Sequence, residues 1–148
     1  MKDKTVAAWL ALAGGPLGLH RFYLHGLADR LGWLLPLPTL AGLYGIARVQ
    51  RYGVDDAWSW VLIPLLGFTI AATSLTAIVY GLSTREKWNT RFNPGSREDD
   101  VAGGTSWSTI IAIVASLMIG TACLMASIAY SFQRYFEYQV EEGRKISQ

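Results

Sequence analysis

The sequence has few of the residues that form covalent cross-links and metal sites. Among its 148 residues are one cysteine, Cys123, and two histidines, His20 and His25. A lone cysteine cannot form an intramolecular disulfide, and Cys123 lies inside an apolar run, where we expect a small packing residue. Because both histidines are far from Cys123 in the sequence, the ligand spacing of a structural zinc site is missing. We therefore expect neither a metal nor a cofactor.

Charged residues are also scarce. They make up 16% of the chain, against roughly 25% in an average soluble domain. Together with 51% hydrophobic residues, this composition excludes an intrinsically disordered chain. The net charge of +2 is a small difference between 13 basic and 11 acidic residues, so we expect no nucleic-acid partner, which would require a concentrated basic face.

Patterns that carry catalysis are missing as well. The sequence has no nucleophile with a base at a suggestive spacing, no phosphate-binding glycine loop with lysine, and no paired histidines on a helix. The two apolar segments at 57–82 and 107–130 contain no Asp, Glu, His, Lys or Arg, which removes the usual pattern of proton relays and coupled transport. We expect that the protein is not an enzyme.

What the sequence does contain is long apolar segments. A bilayer core of about 30 Å requires roughly 20 mostly apolar helical residues. Residues 57–82 and 107–130 meet this requirement and predict two spans. Residues 31–47 are uncharged and predict a third span, kinked because Pro36 and Pro38 each remove a backbone donor.

The first apolar segment, residues 5–19, is interrupted by Gly14-Gly15-Pro16. Lys2 and Lys4 precede it, as in a signal peptide, but no small-x-small cleavage site follows. We interpret it as the first of four transmembrane helices, an even number that places both termini on one side. A count of seven basic residues against six puts the termini in the cytoplasm, in a bacterial cytoplasmic membrane.

The predicted fold is all-α, with four transmembrane helices arranged as two helical hairpins. The first pair covers residues 1–50, and the second covers 57–132 with an exposed loop at 83–106. Residues 133–148 form a polar C-terminal tail. Apolar side chains at helical spacing predict that the last helix extends beyond the membrane into this tail: Phe132, Tyr135, Phe136 and Val140.

Two further patterns concern helix starts and helix contacts. Asp55-Asp56 precedes the third span, and we interpret the pair as acidic residues that stabilise a helix N-terminus. Small residues recur at every fourth position and allow close helix packing, either inside a four-helix bundle or in a homo-oligomer. These predicted packing residues are Ala7, Ala11, Gly15, Thr73, Ala77, Gly81, Ala112, Ser116 and Gly120.

The most informative run is Gly14-Gly15-Pro16-Leu17-Gly18-Leu19-His20-Arg21-Phe22-Tyr23-Leu24, followed by Asp29-Arg30 and Gly32. It resembles the loop of the TM-two domain family, whose unit is two membrane helices joined by a tight connection with a His-Arg-Phe-Tyr type motif. The resemblance covers residues 4–49 and implies a helix pair and a membrane location. His25 departs from the glycine of many members, and His20 replaces the aspartate of the animal branch.

Arg21 has two interpretations. Near the end of a short helix it can donate to free carbonyls, which is a structural role. Alternatively, Arg21 or Arg30 pairs with Asp29 or binds a lipid phosphate. With the titratable His20, and with Tyr23 anchoring the turn, the candidate lipid- or partner-binding residues are His20, Arg21, Tyr23, Asp29 and Arg30.

These features predict a small polytopic membrane protein without enzymatic activity. We expect a structural or regulatory component that acts through helix association and through contacts with membrane lipids or a membrane protein partner. The alternative is a small oligomeric channel or transport unit, with His20, Arg21 and Asp29 at its mouth. Polar groups at the membrane edges favour the first function, since a channel needs them throughout the membrane.

Overall fold

The computed structural model describes residues 1–97 and 100–146. This part of the chain is 83% helical and contains no strand, which confirms the all-α class. Two 3-10 turns, Gly15–Leu17 and Val101–Gly103, accompany the α-helices. The helices are α1 (Lys4–Ala13), α2 (Leu19–His25), α3 (Arg30–Leu34), α4 (Pro36–Tyr52), α5 (Ala57–Leu82), α6 (Arg85–Phe92) and α7 (Trp107–Ile146).

Two helices, α5 and α7, are long and apolar enough to cross a membrane. The mean hydropathy reaches 2.0 in Ala57–Leu82 and 2.3 in Val101–Ile146, the stretch that contains α7. At 1.5 Å per residue, the 26 residues of α5 extend about 39 Å and the 40 residues of α7 about 60 Å. Both helices lie where the sequence predicted spans.

Small residues hold α5 and α7 together in an antiparallel pair. A Cβ on Gly81 would lie 2.5 Å from Ile113, and one on Gly67 would lie 1.8 Å from the Ser127 hydroxyl. Only glycine allows so close an approach of the two backbones. All nine predicted packing residues are buried within the chain, including the run on α7 formed by Ala112, Ser116 and Gly120.

Helices α3 and α4 form one interrupted helix. Pro36 and Pro38 supply no backbone donor, and the helix breaks at Leu35, which nevertheless keeps helical angles (φ −61°, ψ −36°). The hydroxyl of Thr39 donates to the carbonyl of Leu35 (3.2 Å) and to that of Pro16 (2.6 Å), so it ties the break to the N-terminal segment. The helix is therefore interrupted at the predicted prolines, and together α3 and α4 run from Arg30 to Tyr52, farther than the predicted span.

The prediction that residues 5–19 form one spanning helix is wrong. Helix α1 has ten residues and extends only about 15 Å. The chain then turns at Gly14–Gly18, and α2 runs back beside α1. A hydrogen bond from the backbone N–H of Asp3 to the Tyr23 hydroxyl (2.8 Å) joins the two helices. Pro16 lacks a donor and Gly18 has a φ of +77°, so neither continues an α-helix. We call this pair the N-terminal hairpin.

This reversal also changes the position of the termini. The ammonium of Lys4 donates to the carbonyl of Ser83 (2.9 Å), which places the N-terminus beside the last residues of α5. At the other end, the rings of Trp60 and Tyr138 lie 6.3 Å apart, which places the last part of α7 beside the start of α5. The two ends of the chain lie at opposite ends of the bundle, whereas the sequence predicted that both termini lie on one side of a membrane.

The connection at 83–106 is also more than the predicted exposed loop. It contains α6, whose Trp88 is 1% exposed and packs with Ala7 and Leu24. The Trp88 indole N–H and the Asn93 side-chain amide both donate to the backbone carbonyl of Lys2 (2.8 and 3.1 Å). The connection thus covers the N-terminal hairpin. Positions 98–99 of this loop, and 147–148 of the predicted tail, lie outside the described residues.

Two predictions about helix ends are confirmed. Asp56 caps α5, since its carboxylate accepts from the backbone N–H of Ser59 (3.1 Å), and it also pairs with Arg48 (2.6 Å). Asp55 is exposed.

Helix α7 continues without a break to Ile146. The apolar side chains of its extension are more than half exposed: Phe132, Tyr135, Phe136 and Val140.

Candidate binding cleft

Helix α2 carries the motif that the sequence singled out. It begins directly after Gly18, whose left-handed backbone turns the chain, and it is seven residues long. Its second turn packs on α3 because Gly32 leaves room for Phe22; a Cβ on Gly32 would lie 2.5 Å from the Phe22 ring. This close packing fixes the positions of two charged side chains, Arg21 beside Phe22 on α2 and Asp29 before α3.

Arg21 and Asp29 form a two-point ion pair. The guanidinium donates from Nε at 2.5 Å and from Nη2 at 3.2 Å to the two carboxylate oxygens. Asp29 also caps α3 by accepting from the backbone N–H of Gly32 (3.1 Å). The hydrogen bond from Arg21 lowers the pKa of Asp29, and the same bond raises the pKa of Arg21. The predicted pairing of Arg21 with Asp29 is confirmed.

His20 lies one residue before this pair and points into the protein. It is 3% exposed, its ring lies 6.0 Å from that of Tyr80, and its Nδ1 has no hydrogen-bond partner among the described residues. Burial, followed by the positive charge of Arg21, lowers the pKa of His20 to about 4. The imidazole is therefore neutral at pH 7.

The other two predicted residues lie outside the group formed by His20 and Arg21. The Tyr23 hydroxyl accepts from the backbone of Asp3 and fastens α2 to the chain terminus. Arg30 is exposed at the first position of α3. Tyr23 thus stabilises the N-terminal hairpin, and Arg30 contributes a positive charge to the surface at the start of α3.

A cleft of about 340 Å³ lies between α2, the α3–α4 helix and α5. At one end it is bordered by three groups that carry polar atoms, His20, Arg21 and Tyr80. Below them the lining is largely aliphatic. The side chains there include Leu31, Leu34, Leu35, Pro38 and Ala72.

Sequence reasoning named Thr73 only as a helix-packing residue and missed Thr76 and Tyr80, the other polar cleft residues on α5. The three lie within a predicted span, and their helical spacing places them on one face of it. A tyrosine and two threonines on a single face of a mainly apolar helix were the available signal. Their partner surface could not be predicted, because it forms only when the N-terminal hairpin turns back beside α5.

The residues that border the cleft offer hydrogen-bond donors and a cation at one end and hydrocarbon contacts at the other. Such an arrangement binds and orients a molecule that is itself polar at one end. Comparisons of the chain with protein-family models, with curated proteins and with solved structures find no match. The resemblance to the TM-two family stays a prediction.

Proposed function

We propose that this protein is a polytopic membrane component, similar to the TM-two family, that binds an amphiphile in the cleft without converting it. The amphiphile is a membrane lipid or the apolar segment of a membrane protein partner. One observation carries this proposal. The cleft is polar where Arg21 and Tyr80 border it and mainly aliphatic elsewhere, which matches the polarity of a molecule lying at a membrane boundary.

In this proposal the chain crosses a bacterial cytoplasmic membrane three times, through α3–α4, α5 and α7. The α3–α4 helix, from Arg30 to Tyr52, extends about 34 Å, enough for a core of about 30 Å. The N-terminal hairpin enters without crossing. Its turn reaches Thr73, ten residues before Ser83 on α5, and therefore a depth of about 15 Å.

This topology gives a clearer charge asymmetry than four spans. Eight of the 13 basic residues fall on the side of the N-terminus and the 83–106 connection. The positive-inside rule then places that side in the cytoplasm and the end of α7 outside. The eight residues are Lys2, Lys4, Arg21, Arg30, Arg85, Lys87, Arg91 and Arg97.

Cysteine labelling tests the topology. In a Cys123→Ala background, Lys87→Cys on α6 and Gly143→Cys near the end of α7 each place one thiol at an exposed position. A membrane-impermeant maleimide added to intact cells should label only Gly143→Cys. Equal labelling of both positions would contradict the three-span arrangement.

Lipid retention tests the binding proposal. The protein is purified in mild detergent and its bound lipids are measured by native mass spectrometry. Thr76→Phe fills the cleft and should reduce lipid retention at least five-fold. Val79→Phe introduces the same side chain at an exposed position on α5 outside the cleft, and should leave retention unchanged.

The alternative function, an oligomeric channel, makes a different prediction for the same preparation. A channel would conduct ions in liposomes, and Thr76→Phe would alter that flux. We expect no flux, because the charged side chains that border the cleft lie at one end and the rest of the lining, apart from Thr73 and Thr76, is aliphatic. Flux from an oligomer, or equal lipid retention by both variants, would overturn the proposal.

A further inference from the structure

A second group of polar atoms lies at the opposite end of the bundle from the cleft. Arg134, on α7, is 8% exposed, and its Nη1 donates to the carboxylate of Glu137 (2.6 Å). The Nε edge of the same guanidinium is buried, and the described residues supply it with no acceptor. The Trp60 indole nitrogen and the Tyr130 hydroxyl are likewise buried without a partner in this part of the chain.

The register of α5 against α7 brings these groups to one place. Gly120 packs on Ser74, and Gly67, seven residues earlier on α5, packs on Ser127, seven residues later on α7. A further step of seven residues sets Trp60 opposite Arg134.

Ring contacts agree with this register. The Trp60 ring lies 6.3 Å from that of Tyr138, one turn after Arg134. The guanidinium carbon of Arg134 lies 5.5 Å from the centre of the Tyr130 ring. Trp60, Tyr130 and Arg134 therefore form one cluster, at the start of α5 and beside the α7 extension.

The chemistry of this cluster favours an anion. An indole nitrogen and a guanidinium nitrogen can only donate hydrogen bonds, and a phenol can donate one. Buried donors are normally satisfied in proteins. The Glu137 side chain is 44% exposed and occupies the Nη1 edge of the guanidinium, so the buried Nε has no acceptor among the described residues. A phosphate oxygen suits the Nε edge, since guanidinium groups bind phosphate with strong, charge-assisted hydrogen bonds.

An apolar groove of about 330 Å³ adjoins the cluster. It is lined by Ile63, Leu66 and Ile70 of α5 and by Cys123 and Ala126 of α7. Tyr130 lines the groove and also contacts Arg134, so it links the two parts. The groove runs from the cluster toward the middle of the helix pair. A lipid with its headgroup at the cluster could therefore place an acyl chain along the groove.

We infer that the Trp60, Tyr130 and Arg134 cluster with its adjoining groove is a binding site for an anionic phospholipid. The phosphate takes the free donors of the cluster, and one acyl chain lies against Ile63 and Cys123. The site is separate from the Arg21 cleft and lies at the opposite membrane face. It does not depend on what the cleft binds.

The experiment uses the full-length protein, delipidated in mild detergent and titrated with phosphatidylglycerol, with phosphatidylcholine or with inorganic phosphate. Binding is followed by native mass spectrometry. Phosphatidylglycerol should bind at least five-fold more tightly than phosphatidylcholine. Arg134→Gln should reduce phosphatidylglycerol binding at least five-fold. Tyr130→Phe, which removes only the hydroxyl, should reduce it about two- to ten-fold, the effect of one lost hydrogen bond.

Arg51→Gln is the matched control, because it removes an exposed arginine from the same end of the bundle. It should leave binding unchanged, and so should Thr76→Phe, which separates this site from the cleft. Tyr130→Phe keeps the buried ring and decides the test if Arg134→Gln does not fold. Equal binding of phosphatidylglycerol by Tyr130→Phe, Arg51→Gln and the parent protein would overturn the proposed site. Displacement of phosphatidylglycerol by inorganic phosphate at equal concentration would overturn it too, because the site would then bind a soluble anion.

Discussion

Gly18 and Gly32 meet where the N-terminal hairpin crosses α3, with no room for a side chain between them. A Cβ on Gly18 would lie 2.2 Å from the carbonyl oxygen of Gly32, and the φ of Gly18 is +77°. Two independent requirements, one for backbone angle and one for space, therefore fall on the same residue. This contact sets the distance between α2 and α3, and hence the position of Arg21 relative to Asp29.

Replacing Gly18 tests that contact. Gly18→Ala should lower the free energy of unfolding by about 3 kcal/mol, because a left-handed alanine costs 1–2 kcal/mol and overpacking costs a similar amount. Gly143→Ala is the control, since nothing lies within 4 Å of its Cβ position on α7. Unfolding in detergent, followed by tryptophan fluorescence, measures both. Similar stability of the two variants would show that the hairpin does not pack on α3 in this way.

The buried indole of α6 gives a second prediction. Trp88→Ala should destabilise the protein by about 3–5 kcal/mol, the usual cost of removing a large buried aromatic side chain. It should also speed tryptic cleavage after Arg91, because α6 loses its main contact with the hairpin. Val101→Ala, at a position that is 83% exposed in the same connection, should change neither quantity. Unchanged cleavage in Trp88→Ala would mean that the connection is a loose loop.

Lys4 gives a third prediction. The residue is 1% exposed. Its ammonium donates to the Ser83 carbonyl and to the Thr105 hydroxyl (2.7 Å). Lys4→Met keeps the length of the side chain but leaves both acceptors unsatisfied, which should cost about 1–3 kcal/mol. Lys87→Met, on the exposed face of α6, is the matched control. Thermal unfolding of the two variants should differ clearly, and coincident curves would refute the predicted role.

Acid stability gives a fourth prediction. The hydrogen bond from Arg48 is the largest cause that holds the pKa of Asp56 well below its usual range, followed by that from Ser59. A carboxylate with a lowered folded-state pKa stabilises the fold above its unfolded pKa of about 4, and this contribution is lost as the pH falls through the folded value.

The melting temperature should therefore begin to fall near pH 4 and keep falling as the pH drops toward the low folded-state pKa of Asp56. Asp56→Asn should melt lower than the parent at pH 6 and should lose less on acidification. Asp55→Asn changes the neighbouring, exposed carboxylate and should retain the parent's pH profile. If Asp55→Asn and Asp56→Asn had the same profile, the Arg48 pair would not contribute to acid stability.

The sequence was sufficient to predict features that depend on local pattern. Long uncharged runs predicted α5 and the apolar part of α7, and the charge before residue 57 predicted the cap at Asp56. The recurrence of small residues at every fourth position identified positions that are buried between helices. In each case the determining residues lie within one helix or directly before its first residue.

Features that depend on distant contacts could not be predicted in the same way. The segment at 5–19 has the composition of a membrane helix, and its reversal at Gly18 depends on space beside Gly32 and Thr73. Helix α6 is mostly polar, so only Trp88 and Phe92, four residues apart, signalled a buried face. The candidate cleft depends on the first of these features, and for that reason its charged border was predicted while its aliphatic wall was missed.

The burial of Lys4 has a consequence for the order of assembly. Its two acceptors, Ser83 and Thr105, are 79 and 101 residues later in the chain, so a ribosome makes α1 long before the groups that satisfy its ammonium exist. Contacts of such separation form late, because the intervening loop must close first. Helix α1 is therefore synthesised before α5 and α7 but completes its packing only after both have formed.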